Sequence, residues 1–395
     1  MNFFATENLK VGYKNTVVVD RINIDLNKGE IICLLGPNGC GKSTILKTIT
    51  DHIKRIGGSM TVLGKDLNHL SIKNKAKEMS VVLTERINPG MMLAEEVVAI
   101  GRYPHTNYFG KLNKKDLEII NESIEIVEGE KLRYKEFQSL SDGEKQRIMI
   151  ARAICQEADI MVLDEPTSFL DIKFKIELLN ILKKLSLEKN KTIIMSLHEI
   201  DLVSKIADKA LLIKDGKVYK YGTPEDIITD KSISEVYNLG GGYFNTTMGN
   251  IELPKVTKFP KVFVVGGGGK AAKIYRALNK KGIGFYSGIL FKNDIDYSIS
   301  QTLAYETIKE DGFVDIRGKT IIKAKEYIKN CNVVIDSGVS LVGINKGNYD
   351  LLKFASQEEI KILSLREENM GLNLINHYSI SSIIEELANS YLKIK

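Results

Sequence analysis

The run Ile31-Ile32-Cys33-Leu34-Leu35-Gly36-Pro37-Asn38-Gly39-Cys40-Gly41-Lys42-Ser43-Thr44 decides how the first part of the chain folds. Five apolar residues in succession suit a strand buried on both faces. The glycines then break the strand, and residues 43–49 have the composition of the first turns of a helix. Gly36, Pro37, Asn38, Gly39, Cys40, Gly41, Lys42, Ser43 and Thr44 fit the pattern G-x-x-x-x-G-K-[ST]. In such a loop the glycines let backbone N–H groups turn inward around phosphates, and the following helix directs its positive end at them. The pattern assigns the Lys42 ammonium to the β- and γ-phosphates and the Ser43 hydroxyl to Mg2+. The buried strand before the loop and the helix after it supply the context that makes the match specific.

Outward from this loop, strand-like runs precede and follow it. Val17-Val18-Val19 and Ile22-Asn23-Ile24-Asp25-Leu26 come first, the second alternating apolar and polar residues as a half-buried strand does. Further buried-strand runs are Ile160-Met161-Val162-Leu163 and Thr192-Ile193-Ile194-Met195-Ser196. Strands alternating with helical stretches predict a parallel sheet with helical crossovers. The third of these runs ends in Asp164-Glu165, which places Asp164 beside the metal and Glu165 where a base polarises water. Residues 85–157 carry few strand signals and read as a helical insertion.

Leu140-Ser141-Asp142-Gly143-Glu144, followed by Lys145-Gln146-Arg147, lies between the two phosphate-site elements. With it, the first ~240 residues resemble the nucleotide-binding subunit of an ATP-binding-cassette transporter. The fold this implies is α/β: a P-loop NTPase cassette with a mixed-sheet core, an antiparallel β subdomain and a helical subdomain. In that family a Leu-Ser-Gly-Gly-Gln signature begins a helix and contacts the γ-phosphate held by the opposite subunit, which implies that role for Ser141 and Gly143. Ser141 with Glu144 also has the spacing of a helix capping box, and the two readings are compatible. Tyr13 matches the family's adenine-stacking aromatic. Asp171, in Ser168-Phe169-Leu170-Asp171, matches the loop that couples the two sites. His198 matches the switch histidine that hydrogen-bonds the γ-phosphate and orders the attacking water. The resemblance thus names Glu165, His198 and Lys42 as catalytic. The family's hinge Gln is replaced in Ser80-Val81-Val82-Leu83-Thr84-Glu85, where Glu85 stands nearest and becomes a candidate metal ligand beside Ser43 and Asp164. Gly101-Arg102-Tyr103-Pro104-His105 resembles importers of iron-siderophores, haem and cobalamin, at the surface that meets the transmembrane permease subunits.

Composition limits the alternatives. The chain has 395 residues, 43% apolar and 27% charged, with a net charge of +6. At ~150 residues per domain this length predicts two or three domains with ample core. A mild positive excess spread along the chain does not mark a nucleic-acid binder. No run approaches the ~18 apolar residues of a membrane span, and the first residues lack the pattern of a secretory signal. The four cysteines include no C-x-x-C pair, so a disulfide scaffold and a zinc site are not expected and a reducing cytosol is.

Pro254 and Pro260 bracket a polar segment that predicts a linker at 251–260 between a cassette at 1–250 and a smaller Rossmann-like α/β domain at 261–395. The second domain opens with Lys261-Val262-Phe263-Val264-Val265 and a glycine turn that fits G-x-G-x-x-A, with Asp294 and Asp296 about 25 residues on. Such a fingerprint fits a small-ligand site, but taken alone it is a weak signal, since the glycines also simply allow close helix–strand packing. The expectation is an ATP- and Mg2+-dependent ATPase subunit of an importer for an iron-siderophore, haem or cobalamin-type ligand. It would be a head-to-tail homodimer on the cytoplasmic face of the plasma membrane, with permease subunits and, indirectly, an extracytoplasmic substrate-binding protein as partners and no nucleic acid. The alternatives are a soluble cassette ATPase acting on nucleic acid or ribosomes, and a non-catalytic nucleotide sensor.

Overall fold

β1 (Phe4–Tyr13) and β2 (Thr16–Leu26) open the chain as an antiparallel hairpin, with Ile22, Ile24 and Leu26 turned inward and Asn23 and Asp25 outward. This is the period-2 alternation of a strand with one wet face. The computed structural model describes residues 2–83, 87–107, 109–168, 170–246, 248–368 and 370–392. After the hairpin come β3 (Ile31–Leu35), α1 (Lys42–Ile49), β4 (Gly57–Val62), β5 (Lys65–Asp66), α2 (Ile72–Glu78) and β6 (Met79–Val82). The insertion supplies α3 (Ala94–Ala99), α4 (Lys114–Ile126) and α5 (Asp142–Cys155). The unit closes with β7 (Ile160–Leu163), α6 (Ile172–Lys189), β8 (Thr192–Ser196), α7 (Ile200–Ile206), β9 (Lys209–Lys214), β10 (Lys217–Gly222), α8 (Pro224–Ile227) and α9 (Asp230–Tyr237).

These strands form one ten-stranded sheet in the order β5-β4-β1-β2-β10-β9-β3-β8-β7-β6. From β9 to β6 every pairing is parallel, and β3, β7 and β8 are buried along their whole length. From β5 to β2 every pairing is antiparallel. The expected mixed core and antiparallel wing are both present, and residues 94–155 form the helical part. Because β3, β8 and β7 are parallel neighbours, the loop after β3 and the carboxylates after β7 emerge at the same sheet edge.

The chain divides into two units, Met1–Asn238 and Leu239–Lys395. The division falls ahead of the expected linker at 251–260, for a visible reason. The ribbon β11 (Tyr243–Asn245) and β12 (Asn250–Glu252) is fastened to the second unit. Asn245 Nδ2 donates to Ser298 Oγ at 2.8 Å, and buried Glu252 accepts from Arg276 Nε at 2.9 Å.

The second unit continues with β13 (Val262–Val265), α10 (Ala272–Lys280), β14 (Phe285–Phe291), α11 (Ile295–Leu303), β15 (Glu306–Glu310), α12 (Gly318–Lys329), β16 (Val333–Asp336), α13 (Lys346–Gln357), β17 (Lys361–Ser364), β18 (Leu374–Asn376) and α14 (Ile380–Leu392). Six parallel strands run in the order β15-β14-β13-β16-β17-β18. That is the doubly wound dinucleotide-fold order, with its reversal between β13 and β16. Val262 and Val264 of β13 face one core with Tyr275 and Ile299, while Phe263 and Val265 face another with Ala324 and Leu351. Helices thus cover both faces, as an all-parallel sheet requires.

Candidate active site

Gly36, at the end of β3, has φ 156° and no room for a side chain: a Cβ there would lie 2.5 Å from the Ile213 carbonyl oxygen and 2.7 Å from Cys40 Sγ. Gly41 caps α1 at φ 109°, where a Cβ would meet Val19 Cγ2 at 2.4 Å. Pro37, Asn38, Gly39 and Cys40 make the turn between them, closed by Cys40 N–H donating to the Pro37 carbonyl at 3.3 Å. The Cys40 thiol is buried, and that burial raises its pKa despite the opposing pull of Lys42. Lys42 is buried, its ammonium donating to the carbonyls of Gly36 (2.7 Å) and Pro37 (3.2 Å).

Asn38, Gly39, Gly41, Lys42, Ser43, Thr44, Glu165 and His198 wall one cavity of about 350 Å3. Three stretches read separately from the sequence, the loop at 36–44, the strand end at Glu165 and His198, therefore converge. Ser43 Oγ donates to Asp164 Oδ1 at 3.3 Å, and the same oxygen accepts from Ser196 Oγ at 2.7 Å. Glu165 takes the left-handed backbone at φ 49°, a strained conformation for a residue with a side chain, with its N–H donating to Ser196 Oγ at 2.9 Å. Its carboxylate is held at both oxygens: His198 Nε2 lies 2.6 Å from Oε1, and Ser168 Oγ donates to Oε2 at 3.2 Å. Ser196 was not assigned a role from the sequence. The available signal was a hydroxyl at the end of the otherwise apolar run from Thr192.

Ser43 and Asp164 offer hard oxygen donors close together, the set Mg2+ prefers when phosphate oxygens and water complete its six positions. Among the described residues no three His, Cys, Asp or Glu side chains cluster as a protein-only metal cage. Glu85, the third expected ligand, lies outside the described residues.

The other expected contacts stand apart from this cavity. Tyr13 is half-exposed at the tip of the β1–β2 hairpin, whose Val18 and Val19 flank Gly41. Ser141 caps α5 through a reciprocal box with Glu144: Glu144 N–H donates to Ser141 Oγ at 3.3 Å and Ser141 N–H to Glu144 Oε2 at 2.8 Å. The Ser141 N–H bond to its carboxylate, helped by the Ser141 hydroxyl and Lys135, lowers the Glu144 pKa. Gly143 packs under the Phe174 ring, where a Cβ would come within 3.2 Å of the ring edge. Asp171 caps α6 by accepting from Phe174 N–H at 2.9 Å. Ser141 and Asp171 are exposed, and neither they nor Gly143 line the chain's own cavity.

The Gly101–His105 segment is mostly internal. Gly101 lets α5 approach, since a Cβ would meet the Arg152 carbonyl oxygen at 2.3 Å. Arg102 is buried, bound to Asp116 (2.9 Å), the Cys155 carbonyl (2.8 Å) and Glu157 (2.9 Å). Pro104 is buried as well. Only Tyr103, 74% exposed, and His105 face solvent. Beside this segment lies an open cavity of about 540 Å3 bordered by Asp51, Ile72, Lys75, Met79, Arg152 and Gln156.

Residues 19–168 match the ABC transporter family model, and residues 285–393 match the model described as the MJ0874 family. An uncharacterized ABC transporter ATP-binding protein of Methanocaldococcus jannaschii is 50% identical over 276 residues, which is 70% of this chain and 95% of that protein. The iron(3+)-hydroxamate import ATP-binding protein of Bacillus subtilis is 35% identical over 239 residues, 60% of this chain and 89% of that one. A solved transporter described as of the metal-chelate type, in an inward-facing conformation, superposes with a TM-score of 0.53 at 31% identity, covering 60% of this chain and 89% of its own. The chain belongs to the ATP-binding subunits of ABC transporters. It is an ATPase that takes ATP with Mg2+, carries an additional C-terminal domain, and has siderophore-import subunits among its relatives. Among the described residues no helix is long and apolar enough to cross a membrane.

Proposed function

We propose that this chain energises uptake of a metal chelate, an iron-siderophore, haem or cobalamin-type ligand, as the ATP-hydrolysing subunit of an importer on the cytoplasmic face of the membrane. The carrying observation is the convergence of Lys42, Ser43, Glu165 and His198 on one cavity, with Asp164 bonded to Ser43. The siderophore-import relatives support the ligand class.

In this reading Lys42 moves from the loop carbonyls to the β- and γ-phosphates, and backbone N–H groups of the loop hold the triphosphate. Ser43 and Asp164 hold Mg2+, which offsets phosphate charge. Glu165 accepts a proton from the attacking water as its oxygen bonds the γ-phosphorus and the bond to the β-phosphate oxygen breaks. His198 holds Glu165 in place and donates to a γ-phosphate oxygen. Tyr13 stacks on adenine. The exposed Ser141 and Asp171, with Gly143 beside them, serve the site of a second, head-to-tail copy, consistent with their absence from the chain's own cavity.

Permease subunits dock on the helical part through Tyr103 and the groove beside Arg152 and Gln156. Arg102 contributes there by bracing α4 against α5, not by direct contact. The test is Glu165→Gln, which keeps the loop and its Mg2+ donors. The variant is expected to bind ATP, form a stable dimer and lose turnover by ~100-fold or more. Affinity capture of this variant from native membranes with ATP is expected to bring down a polytopic permease. Wild-type turnover removes Glu165 from the role, and capture of ribosomes or DNA without a permease overturns the importer reading.

A further inference from the structure

The second unit has the dinucleotide-fold strand order and a glycine turn at the right place, yet the N–H donors of Gly267, Gly268, Ala271 and Ala272 are already engaged. We propose that this turn is an anion nest filled by the chain's own carboxylates, so that the domain excludes dinucleotides and each chain carries one nucleotide-phosphate site, in the cassette.

In a dinucleotide fold the pyrophosphate sits at the start of the first helix, on the backbone N–H groups of the glycine turn. Here Gly267, Gly268 and Gly269 have φ of 139°, 63° and 75°, and α10 begins at Ala272. Asp296, in the first turn of α11, reaches across to this turn. Its Oδ2 accepts from Gly267 N–H at 2.9 Å and Ala271 N–H at 3.0 Å, and its Oδ1 accepts from Ala272 N–H at 2.9 Å. Asp294 Oδ2 accepts from Gly268 N–H at 2.7 Å. A pyrophosphate placed here would displace these bonds and confront two carboxylates, one of them, Asp296, with no exposed surface. Burial, with the neighbouring Asp294 charge, pushes the Asp296 carboxyl pKa up, against the N–H donors that stabilise its anion.

The acidic residue that would take a ribose hydroxyl is turned the same way. Asp294, just after β14, spends Oδ1 on Asp296 N–H at 2.9 Å and Oδ2 on Gly268 N–H. Independent pairs along the same sheet edge repeat the pattern. Arg366 Nε binds Asp336 Oδ2 at 3.0 Å at the end of β16. Arg317 binds Glu310 and Asp311 after β15, and Lys292 Nζ binds Asp311 at 2.6 Å. In these pairs the guanidinium and ammonium charges are neutralised from within.

The full-length chain tests this by hydrogen exchange of the 266–276 segment, read beside the cassette segment 36–50. In the wild type, NAD+, NADP+ and FAD at millimolar concentration are expected to leave exchange of 266–276 unchanged, while ATP with Mg2+ slows exchange of 36–50 only. Slowed exchange at 266–276 with any of the dinucleotides overturns the proposal. Asp296→Ala is expected to raise exchange at 266–276 at least tenfold, and added formate, the anion the substitution deletes, to restore most of the protection. Unchanged exchange in a folded Asp296→Ala protein also overturns it. Should that variant fail to fold, Asp294→Asn, which touches only Gly268 of the turn, is expected to loosen the segment less than threefold and still show no dinucleotide protection; dinucleotide protection there counts against the proposal.

Discussion

Two glycine turns in this chain are built alike and are filled differently. Each follows a fully buried parallel strand, β3 or β13, and each ends in a helix N-terminus. In the first, the carboxylates come from β7, separated from β3 by β8; Asp164 meets Ser43 of the loop, and a cavity of about 350 Å3 is left open beside Glu165. In the second, Asp294 and Asp296 follow β14, the strand directly beside β13, and reach the turn's N–H groups without an intervening gap. Glycines therefore report the backbone geometry of an anion nest, whereas its occupant depends on how far away the nearest acidic strand end lies. One strand's width separates a catalytic site from a closed one.

The comparison breaks most sharply at Lys42. Its ammonium is the cation of the first turn, and Lys42→Ala is expected to lower kcat on the order of 100–1,000-fold, about 3–4 kcal/mol of transition-state stabilisation. A steady-state ATPase assay checks this, and a loss below tenfold would mean that the loop's backbone N–H groups suffice. Glycine substitutions sharpen the contrast next. Gly41→Ala places a Cβ 2.4 Å from Val19 at φ 109° and is expected to abolish measurable ATP binding by titration calorimetry. Gly269→Ala meets nothing within 4 Å, so only its φ of 75° is at stake, about 1 kcal/mol of stability. Equal effects from the two substitutions would show that the second turn is as tightly specified as the first.

Ser196 marks a further difference, because in the first site a hydroxyl bridges the Asp164 carboxylate and a backbone donor, Glu165 N–H. Ser196→Ala removes the 2.7 Å donor to Asp164 and the 2.9 Å acceptor for Glu165 N–H. The Mg2+ concentration for half-maximal ATPase activity is expected to rise about tenfold, the scale of losses when a residue behind a metal ligand is removed. An unchanged Mg2+ requirement would show that Ser196 does not position Asp164.

Much of the first site was legible because its parts are consecutive residues with fixed roles. The strand–glycine–Lys42 run, the Asp164-Glu165 strand end and the Ser141 cap each carry their geometry locally. What escaped was long-range. Nothing in the spacing of Asp294 and Asp296 says whether a carboxylate faces a ribose or turns back into its own glycine loop; that depends on sheet order. Arg102 read as part of a surface motif, yet its charge is bound by Asp116, 14 residues on, and Glu157, 55 residues on. The unit boundary was placed at the prolines, while the short β11–β12 ribbon ahead of them is tied down by Arg276.

The smallest effect separates two carboxylates within the second unit. Glu310 is buried and accepts from Arg317 Nε at 2.7 Å and Thr320 Oγ1 at 2.7 Å, with Arg317 the main cause of a pKa pushed down to about 2 from an ordinary 4.5. A depressed carboxyl stabilises the fold fully above pH 4.5 and loses that contribution as pH falls toward 2. Asp296 has the opposite sign: its raised pKa makes its contribution greatest below its ordinary 3.8 and lost as pH climbs through the raised value. Glu310→Gln is therefore expected to lower the thermal midpoint of the second unit by a few degrees at pH 6, with the gap to wild type closing as pH approaches 2. A gap that stays constant across that window would show that Arg317 packs against Glu310 without holding its charge.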